Sequence, residues 1–231
     1  IEAIELSSYI DVRHYKEHDE DMMLSLLREL AVGRAPRSAV VMANSDATAR
    51  LLAVRRAELE PCYAVPFPDV GAMDALSDKV AFAAACAAQG LRTPRQTVVD
   101  CSELAHGDPG IDIPFPLVGK AAVGSDWDAA EFPGKRKIYF LDGPEDLASL
   151  WSDLRGAGYA STFLIQERIP GEDEAMRSVT AYMASNGEMT MIGSARVLLE
   201  DHAPTLIGNP VAMMTEAFPD LWEATGRLLR H

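Results

Sequence analysis

Phe115-Pro116-Leu117-Val118-Gly119-Lys120-Ala121 reads as a strand of apolar and small residues with one exception, Lys120. A lysine on a mostly buried strand needs an anionic partner, because burying an unpaired ammonium is costly. A protein carboxylate and a bound anion serve equally well at this point. Downstream, Ala122–Lys135 has little periodicity, three acids and two glycines, which reads as a mobile loop. Lys137–Leu141 is a strand. Pro144 opens a helix to Arg155, with Leu147, Leu150, Trp151 and Leu154 at helical spacing. Phe163–Glu167 is another strand, closed by Pro170-Gly171. Ser178–Ser185 and Glu188–Val197 flank Asn186-Gly187, a strong hairpin signal. Pro219 opens a final helix.

Upstream, Thr97-Val98-Val99 begins a strand, and Cys101–Pro114 reads as loop, with room for a short helix. Ser77 caps a helix over Asp78–Gln89, and Gly90 ends it. Pro61–Pro68 holds three prolines and reads as a linker. Before it stand a strand at Ala3–Val12, a helix at Asp19–Leu30 stopped by Gly33, and a short buried strand at Ser38–Ala43. A helix capped by Ser45 follows. Strand alternating with helix is the pattern of a parallel sheet, with ligands at the carboxyl edge of its strands.

The chain has 231 residues, 48% of them apolar and 24% charged, which are globular values. Thirty-five acids against 21 Lys and Arg give a net charge of −14. Such a chain repels a phosphate backbone, which argues against sequence-independent nucleic-acid binding. It does not exclude a small anion, because a site is local. No apolar run reaches the roughly 18–20 residues that span a bilayer, and the acidic opening Ile1-Glu2-Ala3-Ile4-Glu5 is unlike a signal peptide. Cys62, Cys86 and Cys101 are an odd number without CxxC spacing, the usage of a reducing compartment. The expected location is cytoplasmic.

No Walker A loop, GxSxG or HExxH is present. His14 and His18 are four apart and could share a metal on a helix, although a solvated acidic turn is the plainer reading. Lys79 lies in the first turn of an Ala-rich helix, where the helix dipole favours an acid. Alone it reads as a surface lysine. It also makes sense where helix start and cation both face a phosphate. Gln166-Glu167 ends a strand just before Ile169-Pro170-Gly171, a rigid hinge offering polar side chains and backbone groups to a ligand.

Together these pieces resemble the ATP-grasp superfamily of ligases. The matching order is Leu76-Ser77-Asp78-Lys79-Val80, Gly90-Leu91-Arg92-Thr93-Pro94, Phe115–Lys120, the strand Lys137–Leu141, Gln166–Gly171 and the hairpin to Gly193-Ser194-Ala195-Arg196. It covers roughly residues 76 to 212; each motif is weak alone and the ordered set is strong. The segment Arg196–Thr205 with Gly208-Asn209-Pro210 is similar to the carboxylate–amine ligase branch. The implied fold is α/β: the end of a Rossmann-like pre-ATP-grasp domain (1–75), a linker helix and small lobe (76–167), and the start of the large lobe (168–231).

The resemblance implies that Lys79 and Lys120 hold ATP phosphates. Gln166, Glu167 and the backbone through Ile169 meet adenine, and Glu174 or its neighbour Asp173 binds the ribose. Arg196 stabilises the transferred phosphoryl group or the acyl phosphate, or is a salt-bridged strand arginine. The cofactors are ATP and Mg²⁺. The substrates are a small carboxylate and an amine, amino acids among the candidates, and a homo-oligomer is compatible with the reading. Two departures stand out. The loop after Lys120 keeps only Gly124 and Gly134 and adds Asp126, Asp128 and Glu131, where many relatives are glycine-rich. The late acid and Glu-x-Asn pair that bind Mg²⁺ have no counterpart after Asn209, so the chain is expected to stop before them and, alone, to bind nucleotide weakly without turnover. Otherwise the metal ligands fall among Glu172, Asp173, Glu174, Glu200, Asp201 and Asn209. The expected full reaction is ATP-dependent ligation through an acyl phosphate. The alternative is a non-catalytic nucleotide-binding module.

Overall fold

The chain divides between Asp74 and Ala75 in the computed structural model, which describes residues 8–15 and 19–230. In the N-terminal unit, α1 (Glu20–Ala31) starts where the Asp19 carboxylate accepts the Met22 N–H at 2.9 Å. The strands β1 (Ala39–Val40) and β2 (Tyr63–Ala64) pair in parallel. Between them run α2 (Asp46–Val54), capped by Ser45 as expected, and the short α3 (Arg56–Leu59). Leu24, Val41, Leu52, Leu59, Tyr63 and Val65 close the core.

Two expectations are corrected here. Pro61–Pro68 is not a linker, because Tyr63 and Val65 are buried and Tyr63 Oη donates to the Leu27 carbonyl at 2.6 Å. The Arg56 guanidinium holds the carbonyls of Val65, Phe67 and Pro68, which fixes the proline-rich stretch. The strand expected at Ala3–Val12 lies partly outside the described residues, and Ser8–Val12 forms no strand.

The helix α4 (Val70–Ser77) leads along the chain into α5 (Lys79–Ala88). The cap of α5 is Asp78 rather than Ser77: its carboxylate accepts the N–H groups of Val80 at 2.7 Å and Ala81 at 2.8 Å. A charged acceptor on the helix dipole outcompetes a hydroxyl one residue earlier. Gly90 takes φ 66°, and the Leu91 N–H returns to the Cys86 carbonyl at 2.9 Å, ending the helix as expected.

A four-stranded antiparallel sheet follows in the order β3 (Gln96–Asp100), β6 (Thr162–Glu167), β4 (Leu117–Ala121), β5 (Tyr139–Leu141). One face is covered by α7 (Pro144–Gly156) through Leu150, Trp151 and Leu154. Gly119 leaves room there, since a Cβ would stand 3.0 Å from Leu150 Cδ2 and 3.0 Å from Phe163 Cε1, and both side chains would have to give way. The expected mobile loop after Lys120 instead contains α6 (Gly124–Ala129). Its Trp127 is buried edge-on against Phe132, Tyr139 and Tyr159, with ring centroids 5.5, 6.1 and 5.2 Å away. A single large aromatic ring anchors a segment whose composition otherwise suggests mobility.

A three-stranded sheet holds β7 (Arg177–Met183), β8 (Met189–Glu200) and β9 (Pro210–Thr215) in that order. The hairpin β7–β8 turns as expected at Asn186-Gly187. The turn is a three-residue one: Gly187 N–H bonds the Ala184 carbonyl at 2.9 Å, Ala184 N–H bonds that of Glu188 at 2.8 Å, and only Gly187 takes positive φ there. The helix α8 (Pro219–Leu229) docks through Trp222, whose indole N–H reaches Ser194 Oγ at 2.8 Å. No helix among the described residues is long and apolar enough to cross a membrane.

Candidate functional site

Side chains alternate across β4, so Leu117, Gly119 and Ala121 face the α7 core while Val118 and Lys120 face the other way. Lys120 lies opposite Leu164 of β6, which is fully buried, so its stem runs along apolar surface. Its ammonium has no hydrogen-bond or ion-pair partner among the described residues. Burial pushes its pKa down from 10.5, and the charge of Lys79 adds to this. Lys79 reaches in from the start of α5 and donates to the Ala122 carbonyl at 3.0 Å. Its pKa is lowered by burial against the pull of Asp78, and the charge of Lys137 lowers it further.

Both lysines line one cavity of about 530 Å³. Lys135, Arg136 and Lys137 line it too, against a single carboxylate, Asp128. Five cations around one cavity in a chain of net charge −14 is a local inversion of sign, the electrostatic condition for holding a multiply charged anion. Thr205, Ile207, Gly208 and Asn209 form another part of the wall. They are fixed by Lys137, whose Nζ donates to Asn209 Oδ1 at 2.6 Å and whose N–H bonds the Pro204 carbonyl at 2.9 Å. Lys135 Nζ donates to the Ala130 carbonyl at 2.6 Å and stands 5.5 Å from the Trp127 ring centroid.

Of these five cations the sequence singles out Lys79 and Lys120 and not the basic run. The signal was present as three consecutive cations, Lys135-Arg136-Lys137, between a proline-glycine turn and a strand. The other expected site residues lie off this wall. Gln166 is buried and donates to Gln96 Oε1 at 2.6 Å. The Glu167 carboxylate accepts the Arg95 N–H at 2.9 Å and its guanidinium at 2.8 Å, and these bonds hold its pKa below the ordinary value. At the hinge, the N–H groups of Glu167 and Arg168 bond the carbonyls of Arg95 and Pro116 at 2.9 and 3.1 Å. The Ile169 N–H has no partner among the described residues. Arg196 Nε pairs with Glu216 at 2.9 Å, the salt-bridged arrangement.

Glu174 is exposed. Asp173 accepts the Glu200 N–H at 3.0 Å and meets His202 Nε2 at 3.1 Å, contacts that lower its pKa. Ligand atoms of Asp173, Glu200 and His202 lie within 4.8 Å of one another. An imidazole in the set suits a transition metal and not Mg²⁺, which takes oxygen ligands. These residues therefore do not fit Mg²⁺. A polyphosphate does fit the lysine cavity, because Lys120 is a half-buried cation left without a protein partner. Of the His14/His18 pair, for which a solvated acidic turn is the plainer reading, His18 lies outside the described residues.

No family model matches the chain. The chain is similar to the D-aspartate ligase of Enterococcus faecium, 28% identical over 198 residues, which are 85% of this chain and 47% of that protein. In structure it is similar to an L-amino acid ligase from Bacillus licheniformis, with TM-score 0.58 and 14% identity over 92% of this chain and 46% of that one. It is also similar to an N5-carboxyaminoimidazole synthetase from Staphylococcus aureus complexed with ADP, with TM-score 0.56 and 13% identity over 94% of this chain and 51% of that one. The chain thus spans about half the length of the relatives it matches. At such identities the structural likeness establishes the mixed α/β fold alone. With the curated relative, it bears out the resemblance to ATP-grasp carboxylate–amine ligases that the motifs imply.

Proposed function

We propose that this chain carries the nucleotide-holding part of an ATP-dependent ligase that activates a carboxylate as an acyl phosphate for attack by an amine. The observation that carries the reading is the meeting of Lys79 and Lys120 at one cavity, Lys120 without a protein partner. In this reading residues 1–75 are the remainder of a Rossmann-like domain, 76–167 a linker helix and small lobe, and 168–231 the beginning of a large lobe.

The two lysines hold the phosphates, and the bound charge offsets the cost of burying their ammonium groups. The unpaired Ile169 N–H, beside Gln166 and Glu167, meets adenine, and Asp173 or Glu174 meets the ribose. A carboxylate oxygen of the substrate bonds to the γ-phosphorus as the bond to the ADP oxygen breaks. Little covalent work falls to the protein, and fixed positive charge stabilises the charge moving across the phosphoryl group. The amine nitrogen then attacks the acyl carbon, phosphate leaves with the bonding electrons, and the amine loses a proton. Arg196 acts on the acyl phosphate by exchanging Glu216 for it. Mg²⁺, when bound to ATP, supplies further charge neutralisation. Amino acids are the proposed substrates, since one relative is a D-aspartate ligase and a structural neighbour an L-amino acid ligase.

The test is to incubate the protein containing this chain with ATP, Mg²⁺ and single amino acids, following phosphate release and product mass. Phosphate release that requires an amino acid and yields its condensation product is expected. ATP binding without amino-acid-dependent release from any amino acid would replace the ligase by a nucleotide-binding module.

A further inference from the structure

Three cations in the cavity wall are consecutive in sequence, and they are not equivalent. Lys135 is committed to the Ala130 carbonyl and the Trp127 ring, and Lys137 to Asn209. Arg136 between them has a fixed backbone, its N–H donating to Tyr139 Oη at 3.1 Å. Its guanidinium has no hydrogen-bond or ion-pair partner among the described residues, although it lines the same cavity as Lys120. One wall therefore carries two uncommitted cations, Lys120 on a strand and Arg136 on an anchored turn. The segment between them is not glycine-rich. Its two glycines are Gly124, at the start of α6, and Gly134, and the stretch between is held by Trp127 in the core.

We infer that Arg136 is the phosphate clamp of this cavity, a side-chain fork doing what backbone N–H groups of a glycine-rich loop do elsewhere. A guanidinium presents paired donors that match two phosphate oxygens at once, and it stays charged throughout the neutral range. Lys135 and Lys137 are positioning residues: the first ties the turn to α6, the second ties the Thr205–Asn209 wall to it. The ligand class follows from the arrangement. Lys79 and Lys120 suffice for part of a polyphosphate, and the added fork selects for a longer phosphate chain, so a triphosphate is favoured over a diphosphate and a diphosphate over a monophosphate.

This inference deepens the nucleotide reading of the same cavity, and the experiment separates the two. Calorimetry is run on the protein containing this chain with ATP, ADP, AMP and inorganic tripolyphosphate, for the parent, Arg136→Ala and Arg136→Lys. Melting curves check that the variants fold, which the exposure of Arg136 makes straightforward. Arg136→Ala is expected to weaken ATP and tripolyphosphate about tenfold or more, as loss of a charge-assisted bond does. ADP should weaken less and AMP not at all. Arg136→Lys should recover only part, because it restores charge without the fork. If the parent binds tripolyphosphate but not ATP, the nucleotide reading fails, and the clamp stands where Arg136→Ala weakens tripolyphosphate. If Arg136→Ala binds both at the parental affinity, or weakens ATP and AMP alike, the clamp is wrong while the nucleotide reading survives. A parent that binds neither ligand overturns the clamp as well.

Discussion

The two sheets of the C-terminal unit share much of their chemistry and differ in what covers them. In β6 of the four-stranded sheet, Phe163 and Ile165, on the α7 side, are fully buried. In β9 of the three-stranded sheet, Val211, Met213 and Met214 are 61%, 52% and 44% exposed. Both strands are apolar runs, so propensity does not separate them. Cover does: α7 and the aromatic group around Trp127 close one face of the first sheet, while α8 docks on the second through Trp222 and Ser194. The first sheet is thereby a rigid mount. Its closed face fixes the register, and its other face presents Lys120 against Leu164 at a defined place beside Lys79. Precise placement of a charged group needs such support from packing.

The contrast can be broken most forcefully in the core of the first sheet. Phe163→Ala removes a fully buried ring that touches Trp127, Tyr139 and Tyr159, and should cost about 3–5 kcal/mol in urea unfolding. A cost below about 1 kcal/mol would mean that the sheet does not serve as the mount.

A smaller effect comes from pH. Free Lys120 and Lys79 have pKa values below 10.5, and a bound polyphosphate raises them by favouring the charged form. Affinity for ATP is then fully present while both are protonated in the free protein. It falls as pH rises through the free values toward those of the complex. The decline should begin below pH 10.5, the ordinary lysine value, and should be shallower in Lys120→Ala. Calorimetry at several alkaline pH values reads this directly, and affinity that holds constant up to 10.5 speaks against the two lysines as phosphate ligands.

The smallest effect belongs to the second sheet. Met213→Ser alters an exposed strand residue and should shift stability by no more than about 0.5 kcal/mol. A larger loss would reveal that this face is covered in solution, and the difference between the sheets would narrow.

Much of this was legible from local rules. Ser45, Gly33 and Gly90 start and stop helices by their own chemistry, and Asn186-Gly187 turns the hairpin. Lys120 stood out because an ammonium on an apolar strand is an anomaly. What was not legible depends on contacts distant in sequence. Trp127 orders a stretch that looks mobile only because its partners, Tyr159 and Phe163, lie over thirty residues away. Tyr63 turns a proline-rich stretch into a core strand by bonding Leu27. The commitments of Arg196 to Glu216 and of Glu167 to Arg95, and the convergence of Lys135–Lys137 with the lysines, are likewise products of tertiary folding.

Everything proposed for the cavity depends on whether the partner that Lys120 lacks within the protein is a phosphate. The direct measurement is calorimetric titration of ATP into the parent chain and Lys120→Ala, with melting curves of both. An intact fold and an affinity loss of about 1.5–3 kcal/mol are expected, the worth of a hydrogen bond to a charged group. Equal ATP affinity in the two proteins would contradict it.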